Sequence, residues 1–130
     1  MVKLDESVTS VMNEYLEGDT IEGILLRNRK LFHYHVMFTA EQMKQDVEVL
    51  DLSVRAYHCL KRFGFNTLGN LINGIYTKED ETSKRQLLKV RNLGKNTAEE
   101  ILMKLFYYQF NVLPDSQKRE YMLEVAASNN

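Results

Sequence analysis

The sequence predicts an all-α fold: a compact helical bundle in which two helices meet through a tight hairpin, preceded by a small N-terminal extension whose structure the pattern leaves open. Three observations carry this. Leu68, Leu71, Ile72 and Ile75 repeat at the spacing of one helix face, and Ile101, Leu102, Leu105 and Phe106 do the same. Thr39 with Gln42, and Thr97 with Glu100, fit capping boxes, in which side chains at the helix start satisfy amide donors that have no partner within the helix. The run Leu87-Leu88-Lys89-Val90-Arg91-Asn92-Leu93-Gly94-Lys95-Asn96-Thr97-Ala98-Glu99-Glu100-Ile101 closes one apolar helix end, passes a glycine and restarts abruptly.

The elements follow in order. Residues 4 to 17 form an amphipathic helix through Leu4, Val8, Val11, Met12 and Tyr15, ending near Gly18. Ile24-Leu25-Leu26 and Val36-Met37-Phe38 are too short for periodicity to choose between strand and helix, so a small hairpin or irregular packing is expected there. Thr39 starts a short helix to about Gln45. Ser53 caps a helix over 54 to 63 that Gly64 stops, with Val54, Tyr57 and Leu60 facing inward. Asn66 or Thr67 starts the next helix. Gly94 supplies a position for positive φ and close backbone approach, and Thr97 caps the last main helix. Pro114 breaks the chain, Asp115 or Ser116 caps a tail helix, and Ala127 to Asn130 fray.

Length and composition bound the function. A chain of 130 residues with 44% hydrophobic and 27% charged residues suits one small soluble domain with appendages. No apolar run reaches membrane-spanning length, and Met1-Val2-Lys3-Leu4-Asp5-Glu6 is too acidic for a signal peptide. One cysteine, Cys59, excludes an internal disulfide, and these absences together favour the cytoplasm.

Net charge is only -1, but its distribution is uneven. Residues 1 to 24 set Lys3 against Asp5, Glu6, Glu14, Glu17, Asp19 and Glu22, which makes an acidic arm. Residues 54 to 62 carry Arg55, Lys61 and Arg62, and residues 83 to 95 carry Lys84, Arg85, Lys89, Arg91 and Lys95, with no acid in either window. Such windows are the expected footprint of phosphate binding. Arg55, His58, Cys59 and Arg62 share a helix face by spacing. The free N–H groups at the helix start near Gly94, with the dipole behind them, make an anion site.

Other chemistries find less support. His33 and His35 could ligate a metal from a strand, but no Cys or His cluster completes a shell, so no metal site and no cofactor is expected. The basic and aromatic stretch Arg27 to His35 is better read as a packed amphipathic segment than as a single-strand binder. No phosphate loop, Ser-His-Asp arrangement or carboxylate pair marks a catalytic centre.

Three ordered blocks carry a resemblance: Leu50-Asp51-Leu52-Ser53-Val54-Arg55-Ala56-Tyr57-His58-Cys59-Leu60-Lys61, Phe65-Asn66-Thr67-Leu68-Gly69-Asn70-Leu71, and Asn92-Leu93-Gly94-Lys95. Over about residues 46 to 112 the chain resembles the C-terminal domain of the bacterial RNA polymerase alpha subunit. The expected organisation is therefore an extension at 1–45, this domain at 46–112 and a tail helix at 113–130. The resemblance implies helix-hairpin-helix elements and binding of AT-rich duplex DNA through the minor groove, with sigma factor, RNA polymerase or an activator as further partners. It makes Arg55 the principal groove and phosphate contact, places Cys59, Gly94 and Thr97 at DNA-facing positions, sets Asn92 beside the hairpin and puts Asp51 towards sigma. A turn or cap role for Asp51 is the alternative.

Two positions depart from the family. His58 stands where asparagine is usual and Asn96 where lysine is common, which implies a weaker grip on DNA. The run Gly74-Ile75-Tyr76-Thr77-Lys78-Glu79-Asp80-Glu81-Thr82 is longer than the family's connection. The first 45 residues leave no room for the alpha subunit's assembly domain, so the expectation is a standalone, non-catalytic accessory or regulatory protein. A protein-interaction module and a helix-hairpin-helix repair or recombination adaptor are the alternatives. The pattern is silent on oligomeric state.

Overall fold

Side chains, more than apolar content, mark where the helices of this protein begin. The computed structural model describes residues 4–28, 32–76, 87–90 and 93–129. Among them stand α1 (Glu6–Asn13), α2 (Ile21–Arg27), α3 (Ala40–Met43), a 3-10 turn (Val47–Leu50), α4 (Val54–Phe63), α5 (Leu68–Ile75), α6 (Lys95–Val112) and α7 (Asp115–Ser128), with no strand. The all-α class is therefore observed.

Asp5 accepts from the Ser7 amide, Thr20 from Gly23, Asp46 from Glu48 and Ser53 from Ala56. Full capping boxes stand at Thr39 with Gln42 and at Thr67 with Asn70. Each such cap contributes about 1 kcal/mol to helix stability. Gly64 ends α4 at φ +100°, and Phe65 N–H reaches back to the Leu60 carbonyl at 2.9 Å. Only a residue tolerant of the left-handed region allows that closure without strain.

Met37–Tyr108 forms one compact unit, and Lys3–Val36 with Gln109–Asn130 forms a second. The core of the first holds Val47, Leu50, Leu60, Leu68, Leu71, Ile75, Leu87, Ile101, Leu105 and Phe106, all buried. Two glycines of α5 sit in close packing: a Cβ on Gly74 would fall 2.3 Å from the Phe65 ring, so that ring would have to move, and one on Gly69 would lie 3.0 Å from the Met43 carbonyl oxygen. The second unit buries Met12, Ile21, Ile24, Phe110 and Met122.

Several sequence expectations change within the second unit. Helix α1 stops at Asn13, because Glu17 and Gly18 both take positive φ and turn the chain; Val11 is exposed and Leu16 is buried instead. Ile24-Leu25-Leu26 is helical, since Thr20 caps α2, whereas residues 32–36 run extended with Phe32, Tyr34 and Val36 half-buried and His33 and His35 exposed. Pro114, not Asp115 or Ser116, occupies the cap position of α7; the Asp115 carboxylate accepts from Lys118 Nζ at 3.0 Å. The C-terminal segment does not fray at Asn129. That side chain is buried, accepts from the His33 amide at 2.7 Å, and donates to the His33 and Val125 carbonyls at 2.7 Å each.

Candidate nucleic-acid interface

Two helix starts make the candidate surface. At the first, Ser53 Oγ accepts from Ala56 N–H at 3.2 Å and fixes the opening turn of α4, which sets Arg55 at its second position. At the second, α6 begins at Lys95 directly after Gly94, whose carbonyl accepts from Ala98 N–H at 2.9 Å. The amides of Lys95, Asn96 and Thr97 have no hydrogen-bond partner among the described residues. Three aligned donors with a helix dipole behind them form a concentrated partial positive charge.

Glu100 joins the two starts. Its carboxylate accepts from Ser53 N–H at 2.6 Å and from Ser53 Oγ–H at 2.8 Å, so one α6 acid grips the cap residue of α4. Asn96 and Thr97 lie one turn before Glu100 on the same face of α6. Arg55 lies two residues beyond Ser53. The clamp therefore gathers Arg55 and the Gly94–Thr97 segment at one junction.

This arrangement corrects the capping expectation at Thr97. Thr97 sits inside the first turn of α6 rather than at its cap, and Glu100 is spent on Ser53 instead of on its own helix start. The expectation for Gly94 changes as well. Its φ lies outside the left-handed region, and a Cβ added there would meet nothing within 4 Å. Neither conformation nor packing inside the protein demands a glycine at this exposed point.

The α4 face divides. Arg55, His58 and Arg62 are exposed, with no ion-pair partner among the described residues, while Cys59 is 6% exposed and turns in beside Ala56 and Leu60. Cys59 is therefore a packing residue here, not a surface one. Val54, expected inward, is 74% exposed. Lys61 is removed from the free cations by a short contact to the Asp46 carboxylate, and it lies 5.3 Å from the centre of the Tyr57 ring. Asp46 is held below the ordinary carboxylate range by that lysine and then by the Glu48 amide, while the same contact raises Lys61. Lys95 and Asn96 are exposed and Thr97 is half-buried. Asn92, Lys84, Arg85, Arg91 and residues 77–82 of the long run lie outside the described residues.

Asp51 takes the turn role that the sequence offered as one of two alternatives. It closes the 3-10 turn in the left-handed region at φ +56°, and its side chain is 97% exposed, 3.7 Å from Lys104 Nζ. Glu100 and Lys104 are the residues that sequence reasoning missed. Their partners lie about fifty residues away along the sequence, and no local pattern signals them.

In the second unit, His33 and His35 line a cleft of about 490 Å³ with Tyr121 and Glu124. His35 Nε2 is 3.0 Å from Glu124 Oε1. Among the described residues no group of three or more His, Cys, Asp or Glu side chains could hold a metal. No helix among them is long and apolar enough to cross a membrane.

The family model for the C-terminal domain of the bacterial RNA polymerase alpha subunit matches residues 38–106. The protein belongs to that family. The matched segment falls inside the Met37–Tyr108 unit that carries both helix starts. The protein is also similar to the DNA-directed RNA polymerase subunit alpha of Heliobacterium modesticaldum, at 40% identity over 101 residues, covering 73% of this sequence and 28% of that one. The same subunit of Symbiobacterium thermophilum is 49% identical over 63 residues, covering 48% and 18%. That of Desulforudis audaxviator is 42% identical over 76 residues, covering 54% and 22%. The matches thus span about a quarter or less of the length of these relatives. No solved structure gives a significant match.

Proposed function

We propose that the Met37–Tyr108 unit is a transcription module, without catalytic activity of its own, that binds duplex DNA across the junction of α4 and α6. Arg55 enters the minor groove, where a narrow AT-rich tract concentrates negative potential. The Lys95, Asn96 and Thr97 amides take a flanking phosphate, with Lys95 adding charge. Arg62 reaches the backbone further along. Gly94 leaves the space through which that backbone approaches. The observation that carries this reading is the Ser53–Glu100 clamp, which brings together an arginine and three amides that have no partner among the described residues.

The test is a salt-dependent titration of AT-rich and GC-rich duplexes with the wild-type protein and Arg55→Ala. Wild type is expected to favour the AT-rich duplex, and Arg55→Ala to weaken binding roughly tenfold or more, as loss of a groove-reading arginine does. Equal affinity of parent and variant would end the proposal.

A second reading rests on Asp51. Its carboxylate projects from a turn next to the same junction and is almost wholly exposed, which suits a basic surface on sigma factor or another transcription protein. Asp51→Lys should abolish co-purification with sigma while leaving duplex binding intact; retained co-purification would remove this reading.

A further inference from the structure

The exposed row on α4 contains one group whose charge depends on pH. Arg55, His58 and Arg62 fall at i, i+3 and i+7 of a single helix, and all three are exposed. His58 lies between two guanidinium groups that carry no ion-pair partner among the described residues. Its ring lies T-shaped to the Tyr57 ring with centroids 5.5 Å apart, and the side chain is exposed. Imidazole is the side chain that changes charge between about pH 5 and 8.

On α4, Lys61 is committed to Asp46, which caps the preceding 3-10 turn, and Glu48 within that turn is exposed. On α6, the element clamped to the start of α4, Glu100 is committed to Ser53 and Lys104 lies beside Asp51. Lys95 is exposed, and Glu99 is half-buried with an interaction of its own. No described acid is ion-paired with His58.

We infer that His58 couples duplex binding to proton uptake, so that the α4 row holds DNA more tightly as pH falls. The inference rests on the DNA-binding reading above. A phosphate laid along Arg55 and Arg62 sets a negative charge beside the ring and supplies an acceptor for the imidazolium N–H. The bound state therefore favours the protonated ring more than the free state does. Linkage then requires that a proton be taken up on binding and that affinity rise with acidity. The row works with two cations at high pH and three at low pH.

The experiment follows duplex affinity by fluorescence anisotropy from pH 5.5 to 8.0 at several salt concentrations, with the full-length protein. Wild type should tighten roughly tenfold across this range, the effect of about one pKa unit of differential interaction. Its dependence of log K on log salt should steepen by about one at pH 5.5, as expected for one more phosphate neutralised. His58→Asn should give a flat pH profile whatever its absolute affinity, and His58→Lys should show the steep salt slope at both ends of the range. A His33→Asn and His35→Asn double variant, altered only in the second unit, should keep the wild-type profile.

Superimposable pH profiles for wild type and His58→Asn would overturn the inference while leaving duplex binding in place. A pH profile flattened by the His33 and His35 changes would overturn it too. If wild type bound no duplex at any pH, both the inference and the DNA-binding reading would fall, and Arg55→Ala would then be indistinguishable from its parent.

Discussion

Glu100 holds Ser53 by both carboxylate oxygens, at 2.6 Å to the backbone N–H and 2.8 Å to the hydroxyl. Ser53 in turn accepts from the Ala56 amide, so one serine caps its own helix while being gripped by another. The relationship makes an acid part of a surface expected to meet an anion. Charge alone says that its removal should help DNA binding, and positioning says the opposite.

Glu100→Ala should therefore lower duplex affinity even though it removes a negative charge. It should also cost about 1.5–3 kcal/mol of stability, the range for a hydrogen bond to a charged group. Urea unfolding and duplex titration of the same preparation check the two effects. Tighter binding by the variant would mean that simple charge dominates at the junction.

Gly94 and Gly69 should respond in opposite ways. Gly94→Ser places a side chain where nothing lies within 4 Å, and serine is itself a good cap, so thermal stability should be kept while duplex binding falls. Gly69→Ala pushes a Cβ to 3.0 Å from a backbone oxygen of Met43 and should cost about 1–3 kcal/mol, as overpacking does. Melting curves for both variants, with binding measured for the first, separate the roles.

The Asp46 and Lys61 pair fixes a pH window. Lys61, more than the Glu48 amide, lowers Asp46, so this group's contribution is present above the ordinary carboxylate range near pH 4 and is lost as pH falls through the lowered value. Lys61 is raised by Asp46, so its contribution is complete below the ordinary lysine value near 10.4 and is lost as pH rises through the raised one. Asp46→Asn should melt below wild type at neutral pH, and the two curves should converge in strong acid. A gap that stayed constant down to the lowest pH would contradict this assignment.

Asn129→Ala should destabilise the second unit. It strips partners from the part-buried His33 amide and carbonyl and from the buried Val125 carbonyl, and leaving that last group unsatisfied costs about 1–3 kcal/mol. Hydrogen exchange should report the loss first at the His33 amide. Unchanged protection there would show that the Asn129 hydrogen bonds carry no weight.

What was legible in the sequence follows from how far each interaction reaches. Thr39, Ser53 and Gly64 act on amides or carbonyls within a few residues, so residue type and spacing are enough to place them. The Thr97 and Glu100 spacing looks identical to a cap, because the same i, i+3 pair also occurs one turn inside a helix. Spacing groups Cys59 with Arg55 since four residues return to nearly the same direction. Each residue turns the helix about 100°, so Cys59 lies about 40° round from Arg55, on the flank next to Ala56 and Leu60. The basic windows overcount the free charge, because the acid that neutralises Lys61 lies fifteen residues upstream in another element. Arg55 and its exposed row are legible for the same reason that Asn129 is not. The Asn129 partner His33 is 96 residues away.

That 96-residue span sets an order of events for a polypeptide emerging from the ribosome. The Met37–Tyr108 unit is continuous in sequence and can close as soon as it is synthesised, whereas the segment around His33 must wait until α7 exists. Synthesis at about 5–20 residues per second makes the wait several seconds. Throughout that interval the apolar side chains of α1 and α2 have no C-terminal counterpart, and the Met37–Tyr108 unit is finished first.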